Sequence, residues 1–416
     1  MNSSSKTYLF ILLIAQLLLG SGFSRAQTYP CYLYGNIITV DGDVYKGAIR
    51  WGNEEVFLTD LFNAEKEENP YLKYLTDAKE KVEKRKTTKT KIRSQLQFSY
   101  NQKENGQGMY DRKFQCRFGD IKSISVTGDE SLSLELKNGK YINLVGGSND
   151  VGTQVWVIDQ ELGLLKIDWE RIDVLHFENA PEKTENFGEP IYGKLTTTKG
   201  EFTGFIQWDH DERLLGDKLD GRGRDGELSV PFTKIKSIEK TENGSRVTLL
   251  SDRNFELTGE NDVNQYNRGI VVSIPNVGRI DFPWSHFLSL EIDPCPANSI
   301  DCLSEFGESS RLKGIVHTKE GASFQGIIVY DLDQAMDSEL LNGLNDELEF
   351  FLPFRNVRSI KPIAHNYCLV ELRNELNLYL GDKSDVSNKN AGIIVFVKEG
   401  EYHVFNWSDI DRIEFL

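Results

Sequence analysis

Tyr192-Gly193-Lys194-Leu195 opens a stretch that turns at Gly200 and closes on Gly204-Phe205-Ile206-Gln207-Trp208. Read alone it is one β-hairpin, two strand-forming runs on either side of a glycine that supplies the positive φ of a tight turn. It decides the fold because the chain writes it three times. Tyr34-Gly35-Asn36-Ile37 runs through Gly42 to Gly47-Ala48-Ile49-Arg50-Trp51, and Lys313-Gly314-Ile315-Val316 runs through Gly321 to Gly326-Ile327-Ile328-Val329-Tyr330. Each second strand ends in an aromatic residue.

A second motif follows each hairpin: an aromatic with apolar residues three and six positions on, at Phe118-Ile121-Ile124, Phe232-Ile235-Ile238 and Phe354-Val357-Ile360. The spacing returns with tryptophan at Trp169-Ile172-Leu175, Trp284-Phe287-Leu290 and Trp407-Ile410-Ile413, which lie 51, 52 and 53 residues after their Phe counterparts. Chance does not hold that register, so the chain contains three tandem repeats. A spacing of three fits neither a strand nor a sustained helix and predicts a single 3₁₀ turn leading into a last strand. Between the two motifs come another hairpin, an Asp-Val pair (Asp150-Val151, Asp262-Val263, Asp385-Val386) and an apolar strand.

A unit of strand, Gly turn, strand and aromatic turn into a final strand resembles the small five-stranded barrels of the SH3-like and Sm-like kind. The resemblance implies two barrel-like half-units in each repeat. One such unit alone would bury only about 60% of its unfolded surface, so pairing within a repeat and stacking between repeats would supply the rest. The same strand count allows a six-bladed β-propeller, one blade per half-unit. The expected fold is all-β, with repeats at 27–177, 191–292 and 312–416. The acidic, Pro-containing stretch 178–190 and the Cys- and Pro-containing stretch 293–311 read as linkers. Composition agrees: only 11 alanines stand against 35 glycines and 39 Phe plus Tyr.

Residues 1–26 read as a secretory signal, with Lys6, an apolar run from Tyr8 to Leu19 and a small-x-small site at Ser24-Arg25-Ala26. No later run approaches the eighteen apolar residues of a membrane-spanning helix. The expected location is therefore periplasmic, cell-surface or secreted. In that setting Cys295 and Cys302, seven apart, suit a local disulfide; Cys31 and Cys116 form a weaker second candidate, and Cys368, inside an apolar strand, reads as a buried thiol.

The chain has 48 Lys and Arg against 64 Asp and Glu, a net charge of −16 that becomes −18 without Lys6 and Arg25. Such a balance disfavours nucleic acid as a partner. One place runs against it. Repeat one carries an insertion at about 60–112, where Asn69-Pro70 reads as a helix start and Tyr71, Leu75, Ala78 and Val82 share one helical face. Its far end bears Lys79, Lys81, Lys84, Arg85, Lys86, Lys89, Lys91 and Arg93 with two Glu, a local +6 beside −24 for the remainder. A solvated helix end accounts for these charges most simply; the functional alternative is a docking element for an acidic protein or an anionic polymer.

Catalytic patterns are scarce. Gly221-Arg222-Gly223-Arg224-Asp225-Gly226 has the spacing of a dinucleotide loop, but a strand rather than a helix follows it, so it reads as a surface turn. The six histidines show no metal-ligand spacing, no cofactor is implied, and Asp209-His210-Asp211-Glu212 lacks the spaced pattern of a calcium loop. The trio Trp51, Trp208 and Tyr330 and the repeated Trp169, Trp284 and Trp407 read as core. The function expected from sequence is an exported, non-catalytic binding or structural component of the cell envelope or the extracellular space. The rival is an envelope-polymer hydrolase with carboxylates in a groove between repeats.

Overall fold

Each repeat folds as ten antiparallel strands. The computed structural model describes residues 32–75, 113–146, 148–181, 184–295 and 306–416. Repeat one holds β1 (Tyr34–Thr39), β2 (Val44–Trp51), β3 (Leu61–Lys66), β4 (Lys113–Arg117), β5 (Ile121–Gly128), β6 (Ser131–Leu136), β7 (Tyr141–Val145), β8 (Val155–Asp159), β9 (Gly163–Ile167) and β10 (Ile172–Phe177). Repeat two holds β11 (Tyr192–Thr197), β12 (Gly200–Trp208), β13 (Lys218–Gly223), β14 (Gly226–Pro231), β15 (Ile235–Lys240), β16 (Ser245–Leu249), β17 (Asn254–Leu257), β18 (Ile270–Ile274), β19 (Gly278–Phe282) and β20 (Phe287–Ile292). Repeat three holds β21 (Lys313–Thr318), β22 (Ser323–Val329), β23 (Leu340–Asn345), β24 (Leu348–Pro353), β25 (Val357–Ala364), β26 (Tyr367–Leu372), β27 (Asn377–Gly381), β28 (Ile393–Lys398), β29 (Glu401–Phe405) and β30 (Ile410–Phe415).

The strand order in repeat one is β4-β3-β7-β6-β5-β10-β1-β2-β8-β9. Repeat three pairs its strands in the same order, and repeat two differs only in that β13-β14 joins its sheet through a single Arg222–Thr258 bridge. Two five-stranded halves result, but they are nested rather than consecutive. The contiguous half β3–β7 is inserted between β2 and β8 of the other, whose strands β1, β2, β8, β9 and β10 come from both ends of the repeat. The sheets are continuous and, among the described residues, the outermost strands of each five-stranded half in this order do not pair with each other, so neither closed barrels nor six separate blades describe them.

Both aromatic motifs lie where the halves meet. Phe118–Asp120, Trp169–Arg171, Phe232–Lys234, Phe354–Asn356 and Trp407–Asp409 are 3₁₀ turns, as their spacing predicts, whereas the sixth, at Trp284, is a plain hydrogen-bonded turn. Each delivers the chain into a strand of the central pair, β5 with β10 and its counterparts. There the last residues of the two motifs face each other, Ile124 opposite Leu175, Ile238 opposite Leu290 and Ile360 opposite Ile413. All six are fully buried, so one sequence spacing of six sets the register of the seam.

The glycines of the first hairpin have a second use beyond the turn. Gly35 faces Gly47, Gly193 faces Gly204 and Gly314 faces Gly326 across their ladders. A Cβ on Gly314 would lie 2.1 Å from the Glu414 carbonyl oxygen, and one on Gly326 would lie 2.1 Å from that of Phe396. Neighbouring strands close in on this hairpin from both sides and leave no room for a side chain. Gly314→Ala should therefore cost about 1–3 kcal/mol by overpacking, measured as a lower urea midpoint; an unchanged midpoint would refute the close approach.

The terminal aromatic and the Asp-Val pair form one repeated lock. The Trp51 indole donates to the Asp150 carbonyl at 2.9 Å, the Trp208 indole to that of Asp262 at 2.8 Å, and the Tyr330 hydroxyl to that of Asp385. The same three Asp carboxylates accept the backbone N–H of Asn63, Asp220 and Asn342, each at 2.7 Å. Trp51, Trp208 and Tyr330 are 0–1% exposed, so the core reading of these aromatics holds.

Residues 1–26, the eight cations between Lys79 and Arg93, Cys31 and Cys302 lie outside the described residues. Among the described residues no helix is long and apolar enough to cross a membrane. No disulfide is present among them either; Cys116 and Cys368 are buried thiols whose pKa burial pushes well up. Both should resist alkylation in the native protein and react only on unfolding, which intact mass with and without denaturant would test.

Candidate functional site

The insertion of repeat one leaves β3 and crosses to repeat three. Lys66, the last residue of β3, is 7% exposed and donates to the Asp333 carbonyl at 2.8 Å, the Asp333 carboxylate at 2.9 Å and the Glu339 carboxylate at 2.6 Å. Burial alone would lower the Lys66 pKa; the Glu339 and Asp333 carboxylates overcome that and hold it above its ordinary value. Three residues on, the Asn69 side chain donates to the Leu332 carbonyl and accepts the Tyr71 N–H at 3.0 Å. That is the helix-start contact expected of Asn69-Pro70, and residues 73–75 are helical.

The chain is thereby laid on the outer hairpin β28-β29. Leu75 is buried with Val329, Leu332 and Ile394. The Tyr74 ring meets Phe396 and Tyr402 edge-on, with centroids 5.0 Å away in each case. Phe396 and Tyr402 face each other across the ladder. The corresponding pairs are Ile158 and Leu164 in repeat one and Ser273 and Arg279 in repeat two, so repeat three departs from its siblings at the spot where the insertion lands.

Beside this aromatic cluster is a cavity of about 490 Å³. Tyr71, Tyr74 and Phe396 form its apolar wall, and Arg311, Lys313 and Lys398 line it with one carboxylate, Glu399. Burial and the nearby Glu339 raise the Tyr71 pKa, so the phenol stays protonated in the neutral range. Lys398 is tied to Glu401 at 2.9 Å. Arg311 and Lys313 are exposed and have no carboxylate partner among the described residues. The arrangement offers ring faces beside positive charge, in a chain of net charge −16.

Carboxylates cluster elsewhere. A second cavity, about 170 Å³, is lined by Asp331, Asp333, Glu339, Glu349 and Asp385 with Lys113 and Lys383. Its carboxylates hold the fold together. Glu339 accepts two backbone N–H groups besides Lys66, Asp331 accepts the Ala391 N–H, Asp385 holds Asn342, and Glu349 pairs with Lys383 at 2.8 Å. The Asp209-His210-Asp211-Glu212 cluster is likewise engaged: Asp209 accepts from Asn261 and the Arg268 N–H, Arg268 pairs with Asp211, and His210 lies 2.9 Å from Asp281. The stretch Gly221–Gly226 closes the β13-β14 hairpin, with strands on both sides.

Sequence reading pointed to the insertion through its charges but missed Tyr74, Phe396, Tyr402, Arg311 and Lys313. The available signal was the aromatic pair unique to repeat three. Comparison of the chain with protein-family models, with curated proteins and with solved structures returns no match.

Proposed function

We propose that this chain is an exported, non-catalytic β-repeat protein that holds an anionic polysaccharide of the cell envelope in the groove between Tyr74, Phe396, Arg311 and Lys313. One observation carries the reading: ring faces and uncompensated cations meet in a cavity of about 490 Å³ on an otherwise acidic protein. Sugar rings stack on aromatic faces while their carboxylates meet Arg and Lys. The eight cations from Lys79 to Arg93 follow Leu75 in sequence and belong to the same insertion. Export rests on the leader at 1–26, and a Cys295–Cys302 disulfide would belong with it.

Supporting the binding reading over hydrolysis, Glu399 is the single carboxylate side chain lining the groove among the described residues, whereas a glycosidase needs a facing pair. Retention on immobilised polyuronate tests the proposal. The full chain should be retained at low salt and released as salt rises, and Tyr74→Ala should elute earlier. Passage of the wild type through the column at low salt would refute it.

A further inference from the structure

The outer edge of β19 is covered within the chain; its counterpart in repeat one is not. β19 ends the sheet of repeat two and pairs antiparallel with β24 of repeat three, Arg279 opposite Phe351, Ile280 opposite Phe350 and Asp281 opposite Glu349. The strand corresponding to β19 in repeat one is β9, and the strand corresponding to β24 in repeat two is β14. Among the described residues β9 is laddered only to β8 and β14 only to β13. Both are solvated, with Leu164 59% and Leu228 41% exposed. An open edge presents a row of unpaired N–H and C=O groups to any strand of matching pattern.

We propose that β9 of one copy pairs with β14 of a second copy, in the register that β19 and β24 use. The ladders fix the correspondence. Leu164 stands opposite Ile158 as Arg279 stands opposite Ser273, and Leu228 stands opposite Gly221 as Phe350 stands opposite Gly343. Carrying the register across sets Leu164 against Ser229, Leu165 against Leu228 and Lys166 against Glu227. The last pair is complementary in charge. In the β19-β24 ladder the same position holds two carboxylates, Asp281 and Glu349, which find their partners outside the ladder, in His210 at 2.9 Å and Lys383 at 2.8 Å. The β9-β14 ladder carries its own neutralising partner. Because the two edges are different surfaces, the contact is head-to-tail and builds rings or chains of copies.

Sedimentation velocity of the full chain over a concentration series tests this. Mass should grow with concentration, and Lys166→Glu or Glu227→Lys should each weaken association about fivefold by opposing like charges across the ladder. Mixing the two single variants should restore it, because each contact between one variant and the other again sets opposite charges against each other at this position. Tyr74→Ala should leave association unchanged, which separates this contact from the groove. A single monomer mass at every concentration, reversals without effect, or no recovery on mixing would each overturn the proposal.

Discussion

Lys66→Ala is expected to destabilise the protein by about 3–5 kcal/mol, the cost of leaving buried charges without their partner. The Lys66 ammonium is the charge on which repeat one and repeat three are pinned, and it faces two carboxylates that are themselves 5% and 3% exposed, Asp333 and Glu339. Removing it takes the ammonium from both carboxylates at once. Glu339 has a second duty, since its other oxygen holds the Ala335 and Met336 N–H groups at 2.6 and 2.9 Å and so shapes the loop after β22. Equivalent loops repeat the device: Asp60 holds the Val56 and Phe57 N–H groups and takes Arg213, which is fully buried, while Asp217 holds those of Arg213 and Leu214 and takes Arg50. The check is urea denaturation of Lys66→Ala beside Lys66→Met/Asp333→Asn/Glu339→Gln, which removes all three charges together. The triple variant should recover most of the loss. Equal midpoints for wild type and Lys66→Ala would mean that the contact contributes little.

The second large effect is on pH dependence. In the loop after the terminal aromatic of its second strand, repeat three places Gln334, which donates to the Asp385 carboxylate at 3.2 Å and to the Leu340 carbonyl at 3.0 Å. Repeats one and two place Glu55 and Glu212 there, bridged to Trp51 and Trp208 as Gln334 is to Tyr330. Burial, with the Asp262 carboxylate nearby, pushes the Glu212 carboxyl up to about 9, and burial with Asp150 and Glu54 pushes Glu55 well up. The protonated acid is the form that resembles Gln334. A carboxyl whose pKa is raised by folding stabilises the fold while it keeps its proton. That contribution is complete below the ordinary value of 4.5 and is lost as pH rises toward about 9. Asp150 and Asp262, each raised to about 6 by burial, act in the same direction over a lower range. Stability should therefore fall from pH 5 to pH 9, by roughly 1 kcal/mol per pH unit for each group in its window. Glu212→Gln should match the wild type near pH 5, exceed it near pH 9 and flatten the slope. Parallel stability curves for the two would contradict the account of a buried, protonated Glu212.

Much of this architecture is legible in the sequence because it depends on local spacing. The aromatic turns, the hairpin glycines and the threefold period are all readable, and Ile124, Leu175 and their counterparts fix the central seam in the chain's own register. What is not legible is which strands become neighbours. β2 is followed in sequence by β3 but pairs with β8, over a hundred residues later, and no property of Val155–Asp159 distinguishes it as a partner for β2 rather than β7. The nested halves follow from that choice. The groove is hidden for a similar reason: Tyr74 belongs to repeat one, Arg311 to the linker and Phe396 to repeat three, and only the folded chain brings them together. Nothing in the sequence marks Glu55 and Glu212 as buried, since carboxylates at hairpin ends are usually solvated; their burial is a consequence of loops packing between repeats, through Phe57 against Leu214 and Asp60 against Arg213.

Equilibrium titration of the full chain with a polyuronate oligosaccharide, run beside Arg311→Glu/Lys313→Glu, tests the functional account most directly. Neither side chain is buried, so the double variant should keep the wild-type urea midpoint. The account predicts salt-dependent binding by the wild type and a loss of about tenfold or more in the variant, since two attractive charges become repulsive. Binding of equal strength by both proteins, or no binding by the wild type at low salt, would contradict it.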